Sequence, residues 1–288
     1  MSKKEVDDVS GTQTTGHDWD GIKELDTPTP RWWLYILYAT IVWAVGYWLI
    51  YPAWPGISSY THGLWNHSQR DEVTADVAAL KSARAGREQS LASASLTDIQ
   101  QNPELLQFAM AEGKAAFGDN CAPCHGAGGQ GARGYPNLND DVWLWGGKLT
   151  DIQHTIAVGV RSTSADTRQS QMPAFGRDAI IKPAQVDDLT EYVVHLSGRP
   201  ADARAVRRAT QLFADNCAAC HGPDGKGNRS FGAPNLTDNE WLYGPDRQDI
   251  QNQIWNGNGG VMPTWSGRLS PEEIKAVAVY VHNLGGGE

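Results

Sequence analysis

All four cysteines of this 288-residue chain fall in two segments of one pattern, Cys121-Ala122-Pro123-Cys124-His125-Gly126 and Cys217-Ala218-Ala219-Cys220-His221-Gly222. Thiols three positions apart share one face of a helical turn, and a histidine follows each pair. This arrangement suits covalent attachment of haem c: each thiol adds to a vinyl group of the porphyrin, and the imidazole meets the iron from one face. A zinc site needs four ligands close together, whereas these pairs are distant in sequence and each has its own histidine. A thioredoxin-like redox pair expects a preceding strand and an α/β pattern, which the flanking residues lack. Disulfides would leave the paired histidines without a role.

Iron held by one histidine has a second axial position to fill. Of the four methionines, only Met172 and Met262 occupy equivalent places, each followed by a proline, and they are the expected sixth ligands. Met110 falls on an apolar helical stripe and reads as core packing. His154, His195 and His282 have no histidine counterpart in the other motif's surroundings, and His17, His62 and His67 lie far from either motif. All six read as structural or surface residues. His/Met ligation raises the reduction potential relative to bis-His and leaves no vacant position for oxygen or peroxide. That favours passage of single electrons over bond chemistry, with the protein burying the ring and setting its potential. Trp143, Trp145, Trp241 and Arg133 are candidates for packing on the ring or bonding its propionates.

The elements that position these residues occur twice. Phe117-Gly118-Asp119-Asn120 before the first motif matches Phe213-Ala214-Asp215-Asn216 before the second. Tyr135-Pro136-Asn137-Leu138 matches Ala233-Pro234-Asn235-Leu236, and Asp151-Ile152-Gln153 matches Asp249-Ile250-Gln251. Tandem domains over 103–199 and 200–288 follow from this self-similarity. Leu106, Met110, Gly113 and Phe117 make a helical stripe before the first motif. Val186, Leu189, Val193 and Leu196 make one near the end of the first copy, and Ile274, Val277, Val281 and Leu284 make its counterpart in the second. Ser270, Pro271 and Glu273 form a start signal for the last helix. No run in the copies alternates with period two, so no sheet is expected there.

Upstream, residues 32–51 read WWLYILYATIVWAVGYWLIY, without charge or proline. Twenty helical residues span about 30 Å, the thickness of a membrane's hydrocarbon core, and Trp and Tyr cluster at both ends as interfacial belts. A cleaved signal peptide fits poorly, because the run is too long, polar residues precede it, and no small-residue cleavage site follows. Lys23 and Arg31 precede the helix while 52–69 carry no Lys or Arg, which orients the N-terminus to the cytoplasm. Haem c is attached outside the bacterial cytoplasm, which gives the same orientation independently. The expected layout is a cytoplasmic segment 1–31, a transmembrane helix 32–51, a periplasmic linker 52–102 and the two repeats. A net charge of −9 argues against a nucleic-acid binder and suits a basic protein partner.

One anchor followed by two CxxCH domains resembles the dihaem subunit (subunit III) of cbb3-type cytochrome c oxidases. The specific part of the likeness is His17-Asp18-Trp19-Asp20-Gly21-Ile22-Lys23-Glu24-Leu25-Asp26, then Pro28, Pro30 and Arg31-Trp32-Trp33. The resemblance implies a mainly α protein: one N-terminal transmembrane helix and two tandem class I cytochrome c domains carrying two covalent haem c groups. It implies an electron relay from a soluble cytochrome c, through a monohaem cytochrome subunit, toward the haem-copper catalytic subunit. That enzyme reduces oxygen to water in respiration and pumps protons; the relay subunit does not itself reduce oxygen. It further implies that Cys121, Cys124 and His125 hold one haem with Met172 as sixth ligand, and Cys217, Cys220 and His221 the other with Met262. Pro136 and Pro234 would hold the histidine rings through their carbonyls. The rival readings are a dihaem cytochrome subunit of another membrane dehydrogenase and a dihaem peroxidase, the latter disfavoured by methionine at both equivalent positions.

Overall fold

A computed structural model describes residues 4–288. The chain is mainly helical and divides into two compact units, one reaching to Ser82 and one from Ala83 to Glu288.

The first unit begins with a hairpin in a segment where no element was expected. β1 (Thr14–Trp19) pairs antiparallel with β2 (Ile22–Leu25), Trp19 opposite Ile22. Asp20 and Gly21 both have positive φ, 54° and 92°, as the tight turn between twisted strands requires. The Asp-Gly pair was the available signal. Helix α1 (Arg31–Ile50) begins after Pro30 and stops before Pro52, within a residue of the expected span. Its mean hydropathy is 1.6 and none of its side chains is buried by protein. It is long and apolar enough to cross a membrane once. Tyr47 stacks on Tyr51 and Trp48 meets Trp54 edge-on at the helix end, a belt of rings with polar tips. The unit boundary falls within α2 (Gln69–Ser93), which is exposed along most of its length, as expected of a solvated spacer.

In the second unit, each helix forms where its stripe and caps place it. The short α3 (Leu96–Gln101) starts at a Ser95–Asp98 capping box. Asn102 then caps α4 (Pro103–Asn120), accepting from the amides of Glu104 and Leu105, and Pro103 takes the first turn, where no N–H is needed. α4 buries Ala109, Gly113 and Phe117. Two single turns carry the motifs, α5 (Ala122–His125) and α9 (Ala218–His221). α6 (Leu149–Val158) and α10 (Arg247–Asn256) follow them, and α8 (Ala203–Asn216) precedes the second motif. The closing helices of the two copies are α7 (Pro183–Leu196) and α11 (Pro271–His282). Ser270 accepts from the Glu273 amide and Glu273 accepts from the Ser270 amide, the capping box read from sequence.

The helices do not pack by copy. α11, from the second copy, lies on α4 and α6 of the first, whereas α7, from the first, lies on α8 and α10 of the second. Two apolar clusters result. One is discontinuous, with members between Leu91 and Ala157 and again between Met262 and Leu284. The other is continuous in sequence, with members from Met172 to Trp255. At the α4–α11 crossing a side chain on Gly113 would collide with the Ala276 carbonyl and Tyr280, so the helices meet at backbone distance. Phe117 packs there against Tyr280 with ring centroids 5.3 Å apart, and Phe213 packs against Tyr192 at 4.9 Å in the other cluster. Each phenylalanine is 1% exposed, a burial whose loss costs about 3–5 kcal/mol. Lys275 on α11 donates to the carbonyls of Leu91, Ala92 and Ala94, a cation closing the C-terminal end of α2.

Candidate functional site

The CxxCH turns are built alike. Cys121 ends α4 and starts α5, with its amide on the Phe117 carbonyl at 2.8 Å and its carbonyl accepting from His125 at 2.9 Å. Cys217 makes the same two bonds to Phe213 and His221, at 2.8 and 2.9 Å. The second cysteine of each pair, Cys124 or Cys220, is exposed one turn on, and all four thiols are free. Burial pushes the Cys121 and Cys217 thiols up to about 11, so both are protonated at neutral pH.

Each histidine is fixed by the carbonyl that the family resemblance implied. His125 Nδ1 lies 3.0 Å from the Pro136 oxygen and His221 Nδ1 lies 3.0 Å from that of Pro234. A carbonyl only accepts, so Nδ1 carries the proton and Nε2 keeps a bare lone pair. Burial lowers both imidazole pKa values, opposed only partly by the proline carbonyls. Both rings are therefore neutral, with one nitrogen ready for a metal. His154 and His195 are exposed, and His282 points Nε2 at the Glu288 carbonyl.

The methionines fall where the packing, not the copy, puts them. Met262 packs against the cluster that contains Cys121, and Met172 against the one that includes Cys217. The sequence reading sets Met172 with the first motif and Met262 with the second; the packing puts each methionine in the cluster of the other motif. Met262 exchanges two backbone hydrogen bonds of 3.0 Å with Val160, just beyond α6. The next residues stay on that helix end, with Trp265 and Ser266 donating to Ile156 and Ala157. In the other cluster Arg177 donates to the Trp255 carbonyl at the end of α10, and Gln253 Nε2 lies 3.8 Å from the Met172 sulfur. Each methionine is reached through a glycine at the helix end. A Cβ on Gly159 (φ 72°) would strike the Met262 carbonyl, and one on Gly257 (φ 60°) that of Met172.

The aromatic candidates divide between the clusters, Trp143 in the first and Trp241 in the second. Trp143 Nε1 donates to the Gly286 carbonyl. Arg168 lies 5.2 Å over Trp145 and Arg199 lies 5.1 Å over Trp241, both within cation–π range. Arg133 is exposed and turned to Asp249, so its carboxylate partner comes from the chain itself. Arg168 and Arg199 were not singled out from the sequence, because they occupy non-equivalent positions in the two copies and no repeat signal marks them. One guanidinium nitrogen of Arg199 is buried with no partner. An unfilled buried donor on a half-buried cation suits a carboxylate brought by a group outside the polypeptide. With free thiols and bare Nε2 atoms beside apolar walls, the residues present fit a haem with its propionates.

Three family models match the chain: the N-terminal domain of cytochrome oxidase-cbb3, FixP, over residues 11–58; cytochrome c over residues 110–197; and cytochrome c oxidase, cbb3-type, subunit III over residues 204–281. Among similar proteins, the cbb3-type cytochrome c oxidase subunit FixP of Bradyrhizobium sp. (strain ORS 278) is 56% identical, covering 99% of this chain and 98% of that one. The FixP subunit of Azorhizobium caulinodans is 54% identical over 98% of this chain and 96% of its own length. The corresponding CcoP subunit of Cereibacter sphaeroides is 51% identical over 96% and 95%. Matches of this extent, added to the twice-built CxxCH turn, place the chain in the FixP/CcoP family, the electron-relaying and non-catalytic cytochrome subunits of cbb3-type oxidases in aerobic respiration.

Proposed function

We propose that this chain carries two covalent haem c groups in two class I cytochrome c domains. It relays electrons from a soluble cytochrome c, through a monohaem cytochrome subunit, to the haem-copper subunit of the oxidase. The observation that carries this reading is the paired turn: protonated Nδ1 on a proline carbonyl, bare Nε2, adjacent free thiols and a half-buried methionine in each cluster. Cys121, Cys124, Cys217 and Cys220 would hold the two groups by thioether bonds, each thiol adding across a vinyl group with its sulfur to one carbon and its hydrogen to the other, with no net redox change. His125 and His221 would hold the iron through Nε2, and Met172 and Met262 through sulfur. Each bound haem supplies a one-electron ferric/ferrous couple. Arg199 and Trp241 are placed to receive propionate oxygens, and the apolar clusters exclude water from the ring.

Helix α1 anchors the chain once in the inner membrane. Lys23 and Arg31 on its N-terminal side favour a cytoplasmic N-terminus and periplasmic haem sites. The acidic chain suits a basic donor cytochrome, chiefly by raising the encounter rate. Intact-mass measurement with visible spectroscopy of the chain purified from native membranes tests the reading. The expected mass exceeds the polypeptide by two haem groups, and the chain co-purifies with a haem-copper subunit. A mass equal to the bare polypeptide overturns it.

A further inference from the structure

The segments that lead to the two methionines leave helix ends of matched design. Gly159 caps α6 and Gly257 caps α10, both at positive φ. Two residues beyond each cap the copies differ: Arg161 follows α6, and Gly259 follows α10. Arg161 sits at φ 50°, in the left-handed region unfavourable for a residue with a side chain. Such a residue persists only where its surroundings over-determine it. Here Val160 exchanges two 3.0 Å backbone bonds with Met262, and the Arg161 amide donates to the Arg168 carbonyl at 2.9 Å.

The side chain gives the strained position its use. Arg161 Nε donates to the Gly260 carbonyl and Nη1 to the Ser170 carbonyl, both at 2.6 Å. Gly260 lies two residues before Met262, and Ser170 lies two residues before Met172. One planar fork therefore takes the equivalent carbonyl from each copy where the chain crosses between the clusters, and both bonds are charge-assisted. Gly260 is fixed on its other side as well, its amide donating to the Tyr243 hydroxyl at 3.0 Å. The counterpart position in the second copy is left clear for this group. A Cβ on Gly259 would lie 3.2 Å from Arg161 Nε and 3.4 Å from its Cζ. The space holds one guanidinium, and that one serves two segments.

We propose, on the reading of both methionines as sixth ligands, that Arg161 is a positioning residue shared by the two haem centres. Its guanidinium sets the approach of both methionine segments, so a shift of one sulfur changes the grip on the other. Loosening the fork weakens thioether ligation at both irons and lowers both potentials, because methionine as an axial ligand raises them. Lysine does not replace it: an ammonium is a point charge on a flexible stem and lacks the rigid two-pronged geometry.

The test uses the haem-loaded full-length chain in detergent. Arg161→Met removes both donors and keeps an unbranched stem. Both midpoint potentials are expected to fall and both thioether-to-iron charge-transfer bands to weaken, with two haems still attached by mass. Hydrogen exchange over residues 168–173 and 258–263 is expected to quicken together. Gly259→Ala keeps the arginine and crowds it from the other copy, and should give the same two-centre pattern to a smaller extent. Arg161→Lys should resemble Arg161→Met; recovery of both potentials by lysine assigns the effect to charge alone and overturns the positioning role. A change confined to one centre or one segment overturns the sharing. Bands that survive Arg161→Met but are lost one at a time in Met172→Ala and Met262→Ala overturn the role of Arg161 while leaving methionine ligation intact. Bands that survive all three substitutions overturn methionine ligation itself, so the two failures are distinguishable.

Discussion

The two clusters hold the same motif in the same local geometry but are assembled differently. The continuous one draws all its members from Met172–Trp255, so a single stretch of chain builds it. The discontinuous one needs residues from both ends of the second unit, Leu91–Ala157 and Met262–Leu284. Its helix crossing is also tighter: α4 carries Gly113 at the crossing, whereas α8 carries the buried Ala209 in the corresponding place. The methionine surroundings differ too, since Met172 has the Gln253 amide beside its sulfur. The same CxxCH turn thus sits in one cluster built from local sequence and one completed only when the C-terminal helix returns.

The largest effect expected along this comparison comes from the paired core rings. Phe117→Ala costs about 3–5 kcal/mol and opens the discontinuous cluster, and Phe213→Ala costs as much in the continuous one. Hydrogen exchange resolved by helix checks this: Phe117→Ala should deprotect α4 and α11 together while sparing α7 and α8. Deprotection of α4 with α7 would break the comparison. Next come the glycines at the methionine segments. Gly159→Ala and Gly257→Ala each force a carbonyl away from a new Cβ and cost about 1–3 kcal/mol. Redox titration should show Gly159→Ala moving the centre that depends on Met262 and Gly257→Ala the other.

A smaller effect separates the closing helices. α11 has the Ser270 side chain as its acceptor, whereas α7 starts at Lys182, whose backbone amide bonds Gln185. Ser270→Ala should cost about 1 kcal/mol and loosen α11 without touching α7, as read by exchange at the first amides of each helix. The smallest effect is one of pH. The Arg247 hydrogen bond holds the Glu191 carboxyl below its usual range. That stability is present above the unfolded pKa, about 4.3, and fades as pH falls through the folded value, so acid weakens the continuous cluster. Burial raises Asp140, beside the discontinuous cluster. Its contribution is present below the unfolded pKa, about 3.9, and is lost as pH rises through the folded value, so acid favours that site. Glu191→Gln and Asp140→Asn should flatten the two opposite slopes in acid-unfolding curves, each by a small amount because both groups are partly solvated.

Much of the site was legible residue by residue. The two CxxCH turns and the Ser270 cap are local patterns, and they form because their partners lie within a few turns of chain; the Pro136 and Pro234 carbonyls were expected from the family resemblance. The 32–51 span is likewise set by its own composition, which no fold is needed to read. The hairpin at Asp20-Gly21 was equally local and was simply passed over. Arg168 and Arg199 were not legible, since what marks them is the tryptophan each lies over and, for Arg199, an unpartnered nitrogen.

By itself the sequence determined which side chains can attach and ligate haem, which helices carry an apolar stripe, and which segment can cross a membrane. These follow from composition and spacing, and hold whatever the partner. Only the tertiary structure decided which methionine packs into the cluster of which motif. The stripes of α7 and α11 are equivalent, as are those of α4 and α8, and an apolar stripe specifies that it must be covered without specifying by what. The choice is made where the chain crosses, at Arg161, Gly159, Gly257 and the close contact over Gly113. Apart from the Arg161–Ser170 bond, those contacts join residues far apart in sequence, 99 positions for Arg161 and Gly260, beyond the reach of any periodicity.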